Sequence, residues 1–413
     1  MFILKIIGCR TFQTAFRMVL PVLPYREPEI VGSCSELGAV LKKEAIRTLL
    51  IVTDPGIVRS GLVSFLEETL KNEKIAYFVY DKTQPNPTVR NVEEAFRQYR
   101  ENHCDGLIAI GGGSSMDCAK ALGARISCPK KSVGRMKGIL RVLRRLPPLV
   151  AIPTTAGTGS ETTLAAVITD GDKHHKYALM SFPLIPRYAV LDAKLTYSLP
   201  PHLTATTGMD ALTHAVEAYI GRSTTKKTRR LAREAVRLVF ENVENAYKNG
   251  RDHKARERML LAAYKAGIAF SKSYVGYIHA IAHSLGGRYG TPHGLANAVI
   301  MPYVLEAYGE RTHRKLHELA VAAGISDGGD SHGAGAGKFL RAIRELNKKM
   351  GIPDKLTGIR KEDIPAMAKH AEKEANPLYP VPVLLTAKEL ERFYYRIADW
   401  SDGYDRPGNT EPA

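Results

Sequence analysis

Up to about residue 200 the chain alternates short aliphatic runs with amphipathic stretches, and then the aliphatic runs stop. TLLIVTD (48–54) is an unbroken aliphatic run of the kind buried on both faces of a parallel sheet. Residues 28–56 read as strand, helix and strand; Pro55-Gly56 closes the last, and a helical pattern follows through about Lys71. AYFVYD (76–81), DGLIAI (105–110), PLVAIPTT (148–155) and YAVLD (188–192) repeat the strand signal. Helices are predicted over 91–102 and from MDCAKALGA, and TLAAVITD (163–170) and KYALM (176–180) read as an antiparallel pair around Asp170-Gly171-Asp172. This alternation predicts a doubly wound α/β domain over 1–198. Beyond Leu199-Pro200-Pro201 helical periodicity covers 203–221, 227–248, 254–272, 276–285, 294–308, 310–323, 335–350, 361–374 and 387–398. An all-α domain over 199–400 and a loose polar tail over 401–413 are therefore expected. The first twenty residues are expected to form a leading strand or short extension.

A chain of 413 residues, 44% hydrophobic and 24% charged, has ordinary globular composition and is long enough for two domains. No apolar run approaches the ~20 residues that span a bilayer, and the N-terminus lacks the long apolar core and cleavage site of a secretory signal. Cys9, Cys34, Cys104, Cys118 and Cys128 are odd in number and form no CxxC, which points to reduced thiols and the cytoplasm. The formal net charge is +17, with Lys130, Lys131, Arg135, Lys137, Arg141, Arg144 and Arg145 crowded into one segment. No aromatic residue interleaves them, so a solvated basic face is expected there, and no nucleic-acid or membrane partner.

The chemistry concentrates in HAIAHSLGGRYGTPHG (279–294) and GMDALTHAVEAY (208–219). His279 and His283 lie four apart, on one helix face. A break at Gly286-Gly287 and Gly290 is expected to turn the chain back, presenting His293 from a turn after Pro292. Asp210 and His214 are also four apart. Three histidines and a carboxylate make an N/O donor set without thiolate, suited to a divalent first-row metal.

Two strand-end loops suit a nucleotide. Gly111-Gly112-Gly113-Ser114-Ser115 follows a strand and opens a helix, so bare backbone and a helix N-terminus face any pyrophosphate. PTTAGTGSE (153–161) ends the next strand, and two such loops on neighbouring strands mark a nucleotide crevice. GAGAGK (333–338) is not a phosphate loop: no strand precedes it, His332 stands five before Gly337, and Phe339 follows the lysine. It is expected as a flexible loop opening a helix.

In sequence, GGGSSMDCAKA (111–121), IPTTAGTGSETT (152–163), LPPHLTATTGMDALTHAVEAY (199–219) and HAIAHSLGGRYGTPHGLANA (279–298) resemble the iron-containing (group III) alcohol dehydrogenase family, from about Tyr25 to Trp400. The resemblance implies a dehydroquinate synthase-like fold, an α/β nucleotide-binding domain followed by an all-α metal-binding domain. It assigns Asp210, His214, His279 and His293 to the metal. It assigns Gly112, Gly113, Ser114, Asp117, Thr154, Thr155, Thr158 and Ser160 to the cofactor cradle, Asp54 and Asn86 to the adenosine end, and Lys176 to the cofactor side. His283 matches a histidine between metal and nicotinamide, with a proton carrier and a cofactor contact as its open roles.

The implied enzyme is an NAD(P)-dependent oxidoreductase that interconverts a small primary alcohol and its aldehyde, with a Lewis-acid metal and hydride transfer at the nicotinamide. Donor softness fits iron(II) and zinc alike, and the resemblance favours iron. The carboxylate of Asp54 beside the adenine ribose implies NAD in preference to NADP. Phe270 and Val275, before His279, are placed in the substrate pocket with Ala165, where some relatives carry a polar residue. A cytoplasmic homodimer or higher homo-oligomer is expected. The competing readings are a zinc-dependent polyol dehydrogenase of glycerol type on the same fold, and a basic nucleic-acid-binding or scaffold protein that retains the fold.

Overall fold

The computed structural model describes residues 2–171 and 175–400. The expected tail 401–413 lies outside the described residues. The chain forms two compact units: Leu23–Thr204 with Asn245–Ser271, and Met1–Val22 with Ala205–Glu244 and Lys272–Ala413.

An 18-residue helix α1 (Phe2–Val19) opens the chain. Next come β1 (Glu29–Val31), α2 (Leu37–Lys43), β2 (Thr48–Val52), α3 (Pro55–Arg59), α4 (Ser64–Asn72), β3 (Ala76–Tyr80), α5 (Val89–Glu101), β4 (Gly106–Gly111) and α6 (Gly113–Ser127). The strands β5 (Gly138–Ile139), β6 (Leu149–Pro153), β7 (Ala165–Asp170), β8 (His175–Met180) and β9 (Tyr188–Val190) complete the β structure. A six-stranded sheet of order β1-β9-β6-β4-β2-β3 is parallel throughout. The central strands β2, β4 and β6 are apolar on both faces because both are covered. Leu50, Val52, Leu107, Ala109, Leu149 and Ala151 enter one core, and the alternate residues Leu49, Ile51, Ile108, Ile110, Val150 and Ile152 enter the other. A smaller sheet, β5-β8-β7, contains the expected antiparallel pair β7–β8.

The helices α7 (Pro201–Ile220), α8 (Lys226–Lys248), α9 (His253–Ser273), α10 (Tyr277–Tyr289), α11 (His293–Tyr308), α12 (Glu310–Ala322), α13 (His332–Lys349), α14 (Ile364–Ala375) and α15 (Ala387–Ile397) follow the predicted periodicity closely. Most of α9 belongs to the α/β unit, where Gly267 packs on the loop after β6.

Three local expectations are corrected. The N-terminal stretch expected as a leading strand or short extension is a helix. As α1 it docks on the helical unit, where Arg10 Nη1 and Nη2 donate to the carbonyls of Val381 and Pro382 at 2.8 and 3.0 Å, and Phe16 packs edge-on against Tyr274. GAGAGK lies within α13 and is no loop. Ser331 caps that helix, and Gly335 presses on His317 so closely that an added Cβ would sit 2.6 Å from the ring. Finally, α10 runs through Gly286-Gly287 and ends only at Gly290, whose φ of +69° is the left-handed conformation glycine tolerates.

Candidate active site

Residues Asp210 and His214 lie on one face of α7, one turn apart. His279 sits in the first turn of α10, and His293 is the first residue of α11, directly after Pro292. The turn expected to present His293 is thus a helix start. Ligand atoms of Asp210, His214, His279 and His293 all lie within 4.8 Å of one another. The rings of His214 and His279 stack at 4.5 Å, and His293 Nε2 is 3.4 Å from Asp210 Oδ1. Asp210, His214 and His279 are buried, and His293 is half-buried.

The donor chemistry fits a divalent cation. His279 Nε2 is buried, has no hydrogen-bond partner among the described residues, and lies 3.8 Å from Asp210 Oδ1. Its other nitrogen is tied: Nδ1 is 2.6 Å from Glu217 Oε2. Glu217 also accepts from the backbone N–H groups of Gly276 at 2.8 Å and Ile278 at 2.9 Å, so it caps α10 while orienting His279. Burial holds His279 well below the usual imidazole range, and pushes His293 down to about 4. Both rings are thus neutral near pH 7, the form that binds a metal. Burial also pushes Glu217 up to about 7, against the pull of those backbone amides.

Asn297, one turn beyond His293, donates from Nδ2 to Asp210 Oδ1 at 2.7 Å and lies 3.1 Å from His293 Nε2. His283 is more exposed; its ring stacks on His293 at 5.2 Å and its Nδ1 is 2.6 Å from Glu374 Oε1. Burial opposes protonation of His283, but the carboxylates of Glu374, Asp210 and Glu217 together outweigh it and hold the imidazole above its usual range. Glu217, Asn297 and Glu374 were not singled out from sequence. Two of them carried a signal, since Glu217 continues the Asp210–His214 face at i+7 and Asn297 stands four after His293.

The α/β unit carries the two loops. β4 runs into α6 through Gly111 at φ +144°. A Cβ at Gly111 would sit 2.5 Å from Ser115 Oγ, so Gly111 must stay bare, and one at Gly113 would press on Thr158 Cγ2 at 3.2 Å. The loop after β6 is bonded to the first, with Thr154 N donating to Gly111 O at 3.0 Å. Beside Gly112 the buried Thr155 Oγ1 has no partner among the described residues. Asn86, at φ +64°, brings Ser114 and Lys176 together: its N–H donates to Ser114 Oγ at 3.4 Å and its Oδ1 accepts from Lys176 Nζ at 2.9 Å. Asp54 caps α3, accepting from Gly56 N and Ile57 N at 2.9 and 3.1 Å, and takes Ser115 Oγ on its other oxygen at 3.2 Å. Asp117 and Ser160 bond to each other at 2.8 Å. Ala165 opens β7; Phe270 is half-buried on the last turn of α9 and Val275 half-buried before α10.

Comparison with known proteins decides the family. Residues 30–193 match the family model for iron-containing alcohol dehydrogenase, and 204–397 that for the C-terminal part of the Fe-containing alcohol dehydrogenase family. The chain belongs to the iron-containing alcohol dehydrogenase family. It is 38% identical over 363 residues to alcohol dehydrogenase 4 of Saccharomyces cerevisiae, covering 87% of this chain and 93% of that one. It is 38% identical over 344 residues to the NAD-dependent methanol dehydrogenase of Bacillus methanolicus, covering 82% and 90%. A crystal structure of 1,3-propanediol oxidoreductase superposes with a TM-score of 0.86 at 34% identity, covering 90% and 98%. As an iron-containing alcohol dehydrogenase the chain is an oxidoreductase of alcohols and aldehydes, which sets aside a scaffold protein that merely kept the fold.

Proposed function

We propose that the enzyme interconverts small primary alcohols and their aldehydes, using NAD and an iron(II) ion held by Asp210, His214, His279 and His293. The observation that carries the metal assignment is His279: Nδ1 is fixed by Glu217, leaving the buried Nε2 aimed at the cluster. When bound, the cation supplies Lewis acidity at an alcohol or carbonyl oxygen, and the nicotinamide accepts or donates a hydride. Glu217 keeps His279 in one tautomer and one orientation. Asn297 spans Asp210 and His293 and holds the two donors in register. His283, with Nδ1 engaged by Glu374, carries a proton at Nε2.

Gly112, Gly113, Ser114, Thr154, Thr155 and Thr158 hold the cofactor phosphates at the α6 N-terminus, with Asn86 toward the adenosine end, Lys176 on the cofactor side, and Asp117 and Ser160 shaping the loop. The half-buried carboxylate of Asp54 opposes the extra phosphate of NADP and favours NAD, the cofactor named for the methanol dehydrogenase relative. Donor softness does not separate iron from zinc; membership of the family favours iron. By the family resemblance Ala165, Phe270 and Val275 are assigned to substrate recognition, and their small or apolar side chains suit small, weakly polar substrates. Five free cysteines, all buried, are in keeping with a reducing compartment such as the cytoplasm.

The test is His279→Ala. Bound metal and alcohol-dependent NAD reduction should fall together while the circular dichroism spectrum and cooperative melting are retained. Full turnover in protein stripped of metal would refute the assignment.

A further inference from the structure

Gln13 lies on α1 and is buried. Its Nε2 donates to the carbonyls of Tyr379 at 2.8 Å and Pro377 at 3.3 Å, which uses both amide protons. Arg10, one turn earlier, fixes that amide: Nη1 donates to Gln13 Oε1 at 2.7 Å, and the same guanidinium takes the carbonyls of Val381 and Pro382. The two side chains thus grip the irregular stretch 377–382 between α14 and α15. Phe16, one turn beyond Gln13, meets Tyr274 edge-on at 5.3 Å, and Tyr274 lies 6.3 Å from the ring of Tyr379. Polar and aromatic contacts of α1 therefore both lead to Tyr379. The Tyr379 hydroxyl donates to Glu374 Oε1 at 2.8 Å, the oxygen that stands 2.6 Å from His283 Nδ1. Burial, with the Glu374 carboxylate beside it, holds the phenol well above the usual tyrosine range, so it stays protonated and donates. A carboxylate held from two sides has one orientation, and here one of the two holders is itself held by α1. The carbonyl of Pro380 is bonded separately to Arg222 N at 2.7 Å, so the stretch keeps an anchor that α1 does not supply. α1 precedes Ile30, where the family match begins, so its contribution adds to the site that the family model describes.

We infer that α1 braces the active site: Gln13 is a positioning residue that, through Tyr379 and Glu374, holds the His283 ring in place. This rests on the reading of His283 as the side chain that carries a proton in the reaction. Gln13 does not meet the reacting atoms, because both of its amide protons and its oxygen are taken by the stretch it grips and by Arg10. Tyr379 likewise acts through Glu374, to which its hydroxyl is bonded.

The experiment compares the metal-loaded wild type with Gln13→Leu, Tyr379→Phe and the double variant, reading the rate of the first turnover of NADH formation, the KM for NAD and the bound metal. Gln13→Leu should slow the first turnover about tenfold, within the cost of a small misplacement of a reacting group, at unchanged KM for NAD and metal content. Tyr379→Phe should slow it at least as much. The double variant should be no slower than Tyr379→Phe alone, because both changes act through one chain of contacts. Met18→Ser, on an exposed part of α1, should leave the rate unchanged. A wild-type rate in folded Gln13→Leu, losses that multiply in the double variant, a loss that follows metal content or KM, or an equal loss in Met18→Ser overturns the inference. If Gln13→Leu fails to fold, Arg10→Met, which releases Gln13 Oε1 and the carbonyls of Val381 and Pro382, decides it by the same criterion. A wild-type rate in His283→Ala overturns the reading of His283 itself, so the two failures are distinct.

Discussion

At the scale of the residue, the site depends on side chains that touch the proposed ligands as well as on the ligands. Glu217 serves two structures at once, the start of α10 and the ring of His279. Glu217→Gln places amide protons against existing donors. Metal affinity, read by chelator competition, should fall by about 10–100-fold, the usual cost of removing such a partner. Unchanged affinity would show that packing alone orients His279. Asp54 poses a different question, since it is visibly a helix cap. Glycine is itself a tolerable cap, so Asp54→Gly should lose only about a few tenths of a kcal/mol in stability. The effect on cofactor choice can then be read without a folding defect. We expect kcat/KM with NADP to rise and the preference for NAD to narrow; an unchanged ratio would leave Asp54 with capping alone.

At the scale of the element, α1 is the least expected part of the molecule. Its attachment is specific: Arg10 reaches two carbonyls, and Gln13 Nε2 donates to Tyr379 O at 2.8 Å. Hydrogen bonds to a charged group contribute about 1.5–3 kcal/mol each, so Arg10→Ala should lower stability by roughly 2 kcal/mol once partial exposure is allowed for. Chemical denaturation measures this, and a loss under about 0.5 kcal/mol would mean that α1 does not stay docked. α10 shows how an element can outlast its sequence breakers. Gly286 and Gly287 weaken a helix by about 1 kcal/mol each but do not forbid it. The neighbouring Arg288 and Tyr289 bond to Asp363 at 2.7 and 2.8 Å and hold the last turn in place.

At the scale of the whole molecule, the formal charge of +17 asks for an explanation that the active site does not supply. Lys130, Lys131, Arg135, Lys137, Arg141, Arg144 and Arg145 are all exposed. No aromatic residue occurs among them to stack on bases, so binding to nucleic acid would rest on phosphate contacts alone and be strongly screened. We expect no submicromolar binding to single- or double-stranded oligonucleotides at physiological salt. A fluorescence-anisotropy titration showing such binding, with a steep salt slope, would reverse that.

The sequence by itself determined much of this protein because its signals are local. A buried parallel strand must be aliphatic on both faces, and a buried helix must repeat near 3.6 residues; the strands β2, β3, β4, β6 and β9 and the helices α7 to α15 were legible for that reason. The pairs Asp210–His214 and His279–His283 were legible from helical spacing, and the two loops from glycine beside strand ends. Only the tertiary structure decided what depends on residues far apart in the chain. The docking of α1 needs carbonyls some 370 positions away. Glu217 becomes a cap only because α10 starts against it, and Glu374 meets His283 across 91 positions. Lys120 reads in sequence as one more cation on a helix. The three oxygens that accept from it are brought by a loop and a strand 40 to 45 residues on, and a buried ammonium depends on them.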